Sequence, residues 1–416
     1  MTESEVGPTS AGSGSPWRLE TYWFIISLGF IWALVYNLLP VSFPAFKEVF
    51  GATTEQMGRS QLLFFVGGLI YTIVGGVFID RLGPRRAAVA TVLLVAASLA
   101  IMGSAATMGM LFVGAFCYGL ALASLDVICS TLIVEYFSEQ RQSLFLLYGA
   151  ISSFGGILGP AALGWWQTNA HAPAQNWRTE YYAIAAVLVP IATWGLRIRP
   201  RRRTSTEVAA AQTSDSLAAI MNILTKPTIY LLGWAYLLHG VAQSGMVSWV
   251  GQLYQRRYSI DGAHAAYFLS IDLVGFFLGR SLLSWITARW RISELLLIAI
   301  CAAAATLAYV ATIEAPGYAW GLVCFMISGF FISVNGPSIN SYAGFRFAER
   351  AAHAYVLLSG IGAIGSAVGA YWTALIAERF GLEKGIWFLP GFSAALSLVA
   401  IIWWLRARIC TVTTFN

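Results

Sequence analysis

The sequence predicts an all-α membrane protein with twelve transmembrane helices in two six-helix halves. Apolar residues make up 58% of the 416-residue chain and charged residues only 11%, whereas soluble domains carry about 25% charged residues. Twelve long apolar stretches follow one another, and a stretch of roughly 20 apolar residues spans a bilayer as a helix that satisfies its own backbone hydrogen bonds. One long polar interval divides the twelve into six and six.

The predicted spans, numbered first to twelfth below, are apolar stretches separated by short polar gaps. They cover residues 22–45, 56–79, 87–105, 109–134, 142–168, 180–198, 228–254, 263–287, 293–313, 318–343, 351–377 and 385–405. Several are longer than the roughly 20 residues that a span needs, so tilted or bent helices are expected.

The remaining segments define the domain organisation. Residues 1–21 are rich in Ser, Gly and Glu and lack the basic start and short apolar core of a signal peptide, which predicts a disordered cytoplasmic tail. The N-terminal bundle is predicted over 22–198 and the C-terminal bundle over 228–405. A cytoplasmic linker over 199–227 joins them, and 406–416 form a second cytoplasmic tail.

The positions of Lys and Arg predict that both termini are cytoplasmic. In that orientation, seventeen of the 25 cations lie on the cytoplasmic side, seven lie on the opposite side, and Arg280 lies within a span. This excess fits the positive-inside rule. The net charge of +6 then reflects topology and attraction to anionic lipid rather than a nucleic-acid partner. We expect a multi-pass monomer in the cell's inner membrane.

The two halves repeat one another weakly. Glycines of the first half match glycines of the second half at a nearly constant shift. Gly67 matches Gly275 at 208 positions, and Gly119, Gly155 and Gly159 match Gly329, Gly365 and Gly369 at 210 positions. Such a repeat predicts two parallel bundles that face each other across a central cavity.

The gap between the second and third spans reads GGVFIDRLGPRR over residues 75–86. It resembles the G-x-x-x-D-R-x-G-R-R motif of the major facilitator superfamily, and the helix number, linker and half-repeat extend the resemblance over nearly the whole chain. The resemblance implies secondary transport by alternating access. It also implies a conformational gate in which the aspartate caps neighbouring helix ends, formed by Gly76, Asp80, Arg81, Gly83, Arg85 and Arg86.

Three charges lie at bilayer depth. Asp126 precedes Glu135 by nine residues and Arg280 precedes Arg289 by nine, which places both roughly 14 Å from the cytoplasmic edge. Intramembrane charges typically mark transport paths, so Arg280 would hold an anionic solute by paired hydrogen bonds and Asp126 would carry a proton. Alternatively, both are structural. Asp272 would be a second protonation point or an outer-vestibule residue.

Polar or aromatic side chains interrupt the four spans that line the path in the resembled superfamily. Besides Arg280, the candidate substrate ligands are Tyr36 and Asn37 in the first span, Tyr118 in the fourth, Gln243 in the seventh, and Asn335 and Asn340 in the tenth. His239 in the seventh span is a third candidate for proton coupling, with helix packing as the alternative.

Local sequence is similar to two branches of that superfamily. The motif DRLGPR and the run AAYFLSIDLVGFFLGR over 265–280 resemble monocarboxylate and oxalate/formate-type carriers, in which an eighth-helix arginine meets the carboxylate. The run LALASLDV over 120–127 resembles fucose-permease-like sugar carriers, in which a fourth-helix acid couples protons. We therefore expect a proton-coupled symporter, most plausibly of a carboxylate, with a sugar as the alternative substrate.

Other functional classes fit the sequence less well. An exporter or antiporter and a carrier-fold membrane sensor stay open as alternatives. An enzyme is not expected, because the four histidines are scattered over loops and different spans and form no cluster of nucleophile and base. The cysteines show no CxxC pair, so neither a metal nor a redox cofactor is expected. No phosphate-binding loop occurs, so ATP-driven transport is not expected.

Overall fold

The computed structural model describes residues 16–136, 141–169, 173–197, 221–290, 292–347 and 351–413, and within these ranges the regular structure is helical. The first half contains α1 (Pro16–Tyr36), α2 (Leu38–Val41), α3 (Phe43–Phe50), α4 (Thr54–Leu82), α5 (Pro84–Gly103), α6 (Met108–Tyr136), α7 (Arg141–Asn169) and α8 (Pro173–Gly195). The second half contains α9 (Pro227–Tyr258), α10 (Gly262–Arg289), α11 (Glu294–Ile313), α12 (Tyr318–Ile332), α13 (Asn335–Arg346), α14 (Ala351–Phe380), α15 (Leu382–Trp387) and α16 (Leu389–Thr413).

Every predicted span coincides with one helix or with two or three consecutive helices. By length and composition, eight helical segments in the described part of the chain are apolar enough to cross a membrane. The all-helical membrane fold is therefore confirmed. The predicted N-terminal tail and the linker fall mostly on residues 1–15 and 198–220, which lie outside the described residues. Helix α1 already begins at Pro16, and α16 continues through most of the predicted C-terminal tail to Thr413. The cytoplasmic location of the tails and the linker stays a prediction.

The sixth span starts earlier than hydropathy predicts. The prediction begins at residue 180, whereas α8 begins at Pro173. The intervening residues are too polar for an apolar window, but Trp177 is fully buried and its ring packs edge-on against Phe46 at 5.0 Å between centroids. Contacts with the rest of the bundle therefore extend the helix beyond its apolar part.

The tenth span is broken in the middle, between α12 and α13. Pro337 follows the break, and a proline has no backbone N–H to donate to the carbonyl four residues earlier. That carbonyl belongs to Ser333, in the turn between the two helices. The break therefore leaves a backbone acceptor without its usual helical donor.

The matched glycines make equivalent contacts in the two halves. A Cβ on Gly67 would collide with the Phe116 carbonyl, and one on Gly275 with the Met326 carbonyl. In each half these contacts join the second helix of the repeat to the fourth. Gly159 and Gly369 meet the first helix of their own repeat in the same way, so the weak sequence repeat corresponds to a real structural repeat.

The two halves pack against each other through α4 with α14 and through α7 with α10. Many of their described contacts lie at the end of the molecule that carries the loop between α3 and α4. There the ring of Phe43 lies 5.3 Å from that of Trp249, and Gly58 has no room for a Cβ beside Ala374. This region is called the closed end below.

Candidate substrate and proton site

The first half presents an acidic group within the fourth predicted span. Asp126 of α6 is partly exposed, and the hydroxyl of Tyr148 on α7 donates to its Oδ1 at 3.2 Å. Tyr36, at the end of α1, is 37% exposed and lies within range of the charge of the Asp126 carboxylate. The fold thus brings the first, fourth and fifth spans together around one carboxyl group.

The Tyr148 ring fits against α1 because residue 29 of that helix is a glycine. A Cβ on Gly29 of α1 would lie 2.5 Å from the Tyr148 ring, so a larger residue there would displace the tyrosine. Ser152, one turn later, donates to the Gly29 carbonyl at 3.2 Å. Sequence analysis missed Tyr148, although its helical spacing from Ser152, Gly155 and Gly159 places it on the face that packs against α1.

The second half presents a basic group within the eighth predicted span. Arg280 of α10 has an exposed side chain, and its Nε donates to the Ser333 carbonyl at 3.3 Å. This is the acceptor that Pro337 leaves without a helical donor. The guanidinium carbon also lies 5.3 Å from the centre of the Phe276 ring, so backbone and aromatic contacts hold the cation.

Polar groups of the seventh and tenth spans surround Arg280. The guanidinium charge acts on both Tyr236 and His239 of α9, whose rings lie 6.1 Å apart edge-on. Asn340 of α13 donates from Nδ2 to the Tyr236 hydroxyl at 3.4 Å. Gly336 of α13 lies beside this group, since a Cβ there would be at ordinary contact distance from His239 Nε2, 3.8 Å.

Three side chains here have buried polar atoms without a hydrogen-bond partner in the described structure. These atoms are His239 Nδ1, Asn340 Oδ1 and both amide atoms of Asn335. Buried polar atoms are normally paired with protein or water, so His239 and Asn340 can still bind a solute or water. Asn335 shares a helix face with the buried Ile339 and lies apart from them.

Other predicted site residues are placed elsewhere. Tyr118 is fully buried and donates to the Val35 carbonyl at 2.6 Å, so its hydroxyl joins the fourth span to the first instead of facing a solute. Asn37 is buried at the break between α1 and α2. Gln243 is half-buried on α9, one turn after His239.

Asp272 is buried inside the second half. Its side-chain oxygen lies beside Gly329 of α12, where a Cβ would approach it to 2.7 Å, and its charge acts on Tyr309 of α11. These neighbours belong to the eighth, ninth and tenth spans of one half. The carboxyl is therefore enclosed by helices of the second half, and a role in proton coupling stays a prediction.

The predicted gate forms the turn between α4 and α5. Gly83 has a φ of +74°, which favours glycine, and Pro84 starts α5. Arg85 donates to the Leu196 carbonyl at the end of α8, where a cation suits the negative helix terminus. Arg81 and Arg86 are exposed. The surroundings of Gly76 and of the Asp80 side chain lie outside the described structure, so the capping role of Asp80 stays a prediction.

Comparison with known proteins gives the family. The Major Facilitator Superfamily model matches residues 25–370. The L-fucose-proton symporter of Escherichia coli (strain K12) is 24% identical over 355 residues, which cover 76% of this chain and 78% of that protein. In fold, the chain is similar to the nucleoside transporter NupG, with 12% identity, coverage of 93% of this chain and 99% of that chain, and a TM-score of 0.73.

A second solved structure is also similar to this chain in fold. A bacterial homolog of the human lysosomal transporter Spinster, in an inward-facing and unoccupied conformation, has 16% identity, coverage of 94% of this chain and 96% of that chain, and a TM-score of 0.72. The chain therefore belongs to the Major Facilitator Superfamily, and it is a secondary transporter rather than an enzyme.

Proposed function

We propose that this transporter is a symporter that couples protons to the movement of a small, hydroxyl-rich solute of the sugar class. The observation that carries the proposal is Asp126, a titratable group at mid-membrane that stays partly exposed and has a tyrosine hydroxyl as its hydrogen-bond partner. Intramembrane carboxyl groups in such positions typically carry protons. The similarity to an L-fucose-proton symporter supports the same coupling.

The polar groups opposite Asp126 suit a hydroxylated solute. A hydroxyl both donates and accepts hydrogen bonds, whereas an ionised carboxylate only accepts them. Tyr236, His239 and Asn340 offer donors and acceptors together, and His239 Nδ1 and Asn340 Oδ1 have no partner among the described residues. The carboxylate expected from the sequence gains no support from the relative, so the sugar class becomes the first candidate.

A carboxylate is the second candidate because of Arg280. Its Nε binds Ser333, but a guanidinium has five N–H donors, and the described residues provide no carboxylate partner for it. The remaining donors have the paired geometry that a carboxylate accepts. A solute with both hydroxyl and carboxylate groups would bind the polar side chains around Tyr236 through its hydroxyls and Arg280 through its carboxylate.

With both termini cytoplasmic, the closed end lies on the outer side of the membrane. A solute path between Asp126 and Arg280 would then open toward the cytoplasm, and a carrier in this state would release its solute inward. The proposed location is the cell's inner membrane, and the proposed gate at Asp80 to Arg86 lies at the cytoplasmic side. The antiporter alternative differs from symport, because exchange of one solute for another would need no net flow of protons.

The test is uptake by proteoliposomes that contain the purified chain. Labelled hexoses, deoxyhexoses, pentoses and monocarboxylates would be supplied with and without an inward proton gradient, together with a pH dye inside. We expect one sugar to accumulate only with the gradient, with proton entry that a protonophore abolishes. Uptake of a carboxylate alone would move the assignment to the second candidate. Exchange without net proton entry would contradict symport.

A further inference from the structure

A carboxylate from the second half binds the first turn of a helix in the first half. At the closed end, Oε2 of Glu378 on α14 accepts hydrogen bonds from the backbone N–H of Thr54 at 2.9 Å and of Glu55 at 3.3 Å. These are the first two residues of α4. A negative charge is favourable at a helix N-terminus, where the N–H groups have no partner within the helix.

A second contact joins the halves at the same place. Arg256, in the last turn of α9, donates to the hydroxyl of Thr54 at 3.1 Å. Like the bonds to Glu378, this hydrogen bond crosses from the second half to the first. The closed end is therefore held by a polar cluster of three side chains, those of Thr54, Arg256 and Glu378, called the latch below.

Helix α4 does not need Glu378 in order to begin at Thr54. Thr53 and Gln56 form a reciprocal cap, in which Thr53 Oγ1 accepts from the Gln56 N–H at 3.2 Å and Gln56 Oε1 accepts from the Thr53 N–H at 3.1 Å. This capping box fixes the start of the helix from within the first half. The bonds to Glu378 are thus additional, and their direct effect is to join the two halves.

The latch lies beside the closest contact between the halves. Gly58, one turn after Thr54, lies against Ala374, which is one turn before Glu378. Separation of α4 from α14 at this end must therefore break the bonds to Glu378. We propose that Glu378 is a gating residue that stabilises the closed end and sets how often it opens, whichever solute the transporter carries.

The experiment measures opening of this end directly. Spin labels at Lys47 on α3 and Lys384 on α15, both exposed, would report the distance between the halves by double electron–electron resonance in lipid nanodiscs. We expect Glu378→Ala to raise the ratio of open to closed molecules about fivefold, the factor expected when one helix cap is lost. An unchanged distribution would overturn the proposal.

The matched control is Glu383→Ala. Glu383 lies near the same end and pairs with Arg257 at 2.8 Å, but both residues belong to the second half. Its loss should therefore leave the distribution unchanged. If Glu383→Ala opens the end as much as Glu378→Ala does, general loss of negative charge explains the effect and the latch does not.

A second variant tests the partner of Glu378. Thr54→Pro removes both the N–H that donates to Glu378 and the hydroxyl that accepts from Arg256, and proline is well tolerated at the first position of a helix. We expect it to open the closed end by at least the same factor as Glu378→Ala, and we expect Glu378→Ala to add little when Thr54→Pro is already present. Full additivity of the two changes would show that the residues act separately and would contradict the latch.

Discussion

Asp126 and Arg280 are held in different ways at similar depth. The carboxyl of Asp126 has a side-chain partner, Tyr148, so its hydrogen bonding can change when a proton binds. The guanidinium of Arg280 is held by a backbone carbonyl, that of Ser333, which cannot titrate. The first group is suited to gain and lose a proton, and the second to present a permanent positive charge.

Replacement of Asp126 by Asn should separate solute binding from proton coupling. The amide keeps the size of the side chain but cannot carry a proton, so proton-driven accumulation should fall to the level of equilibration, while exchange of labelled for unlabelled solute persists. Uptake by proteoliposomes measures proton-driven accumulation, and counterflow measures the exchange. Asp272→Asn is the matched comparison, because that carboxyl lies inside the second half. Unchanged accumulation in Asp126→Asn would contradict the assignment.

Replacement of Arg280 by Gln should weaken solute binding. Loss of a charged hydrogen-bond donor typically costs about 1.5–3 kcal/mol, so KM for the transported solute should rise about tenfold or more. Concentration-dependent uptake measures this. Arg289→Gln is the control, since Arg289 is a cation in the last turn of the same helix, more than two turns from Arg280. Equal KM values in wild type and Arg280→Gln would exclude contact with the solute.

The break in the tenth span, between α12 and α13, helps to position the side chain of Arg280. Pro337 cannot supply an N–H to Ser333, and Arg280 occupies that carbonyl instead. A single proline thereby bends the helix and positions a charge contributed by the eighth span. We therefore expect Pro337 to affect solute binding through the position of Arg280.

Replacement of Pro337 by Ala should therefore impair uptake without lowering stability. The new N–H would compete with Arg280 for the Ser333 carbonyl, and alanine favours a continuous helix. We expect a higher KM together with an equal or higher melting temperature. Pro337 is exposed, so lost packing contributes little. A lower melting temperature with an unchanged KM would contradict this role of the break.

The close packing of α6 against α4 depends on a glycine. Gly119 of α6 lies against the backbone of Phe64 on α4, so Gly119→Ala forces the two helices apart. Overpacking of this kind typically costs about 1–3 kcal/mol, and thermal unfolding in detergent should detect it. Gly109→Ala on the same helix has free space, with its nearest neighbour at 3.8 Å. Equal melting temperatures for the two variants would contradict the packing account.

At the scale of the whole molecule, orientation decides which side each state of the transporter faces. If both termini are cytoplasmic, a membrane-impermeant thiol reagent should label Lys47→Cys in intact cells and Arg81→Cys only after permeabilisation. Both positions are exposed and lie at opposite ends of the first half. The wild-type chain gives the background from its own cysteines. Labelling with the reverse pattern would invert the orientation and the assignment of the closed end.

Much of the fold was predictable because lipid imposes simple rules. Apolar length and the regular gaps predict the helices, and the matched glycines predict the half-repeat that the structure then shows. Helix ends were harder, since Trp177 extends α8 through packing that hydropathy does not measure. The depth of Asp126 and Arg280 in the membrane stays a prediction from sequence spacing and the rise per residue of a helix.

The neighbours of each charge depend on the tertiary structure. Tyr148 approaches Asp126 only because Gly29 on another helix makes room for it, and Arg280 reaches Ser333 only because Pro337 interrupts a distant span. Tyr118, which shares a helix with Asp126, is instead used in packing. The amino-acid sequence by itself determined the helices, their repeat and the charges at mid-membrane, since these depend on local composition and spacing. The pairing of side chains depends on how helices rotate and approach one another, so only the assembled bundle decided it.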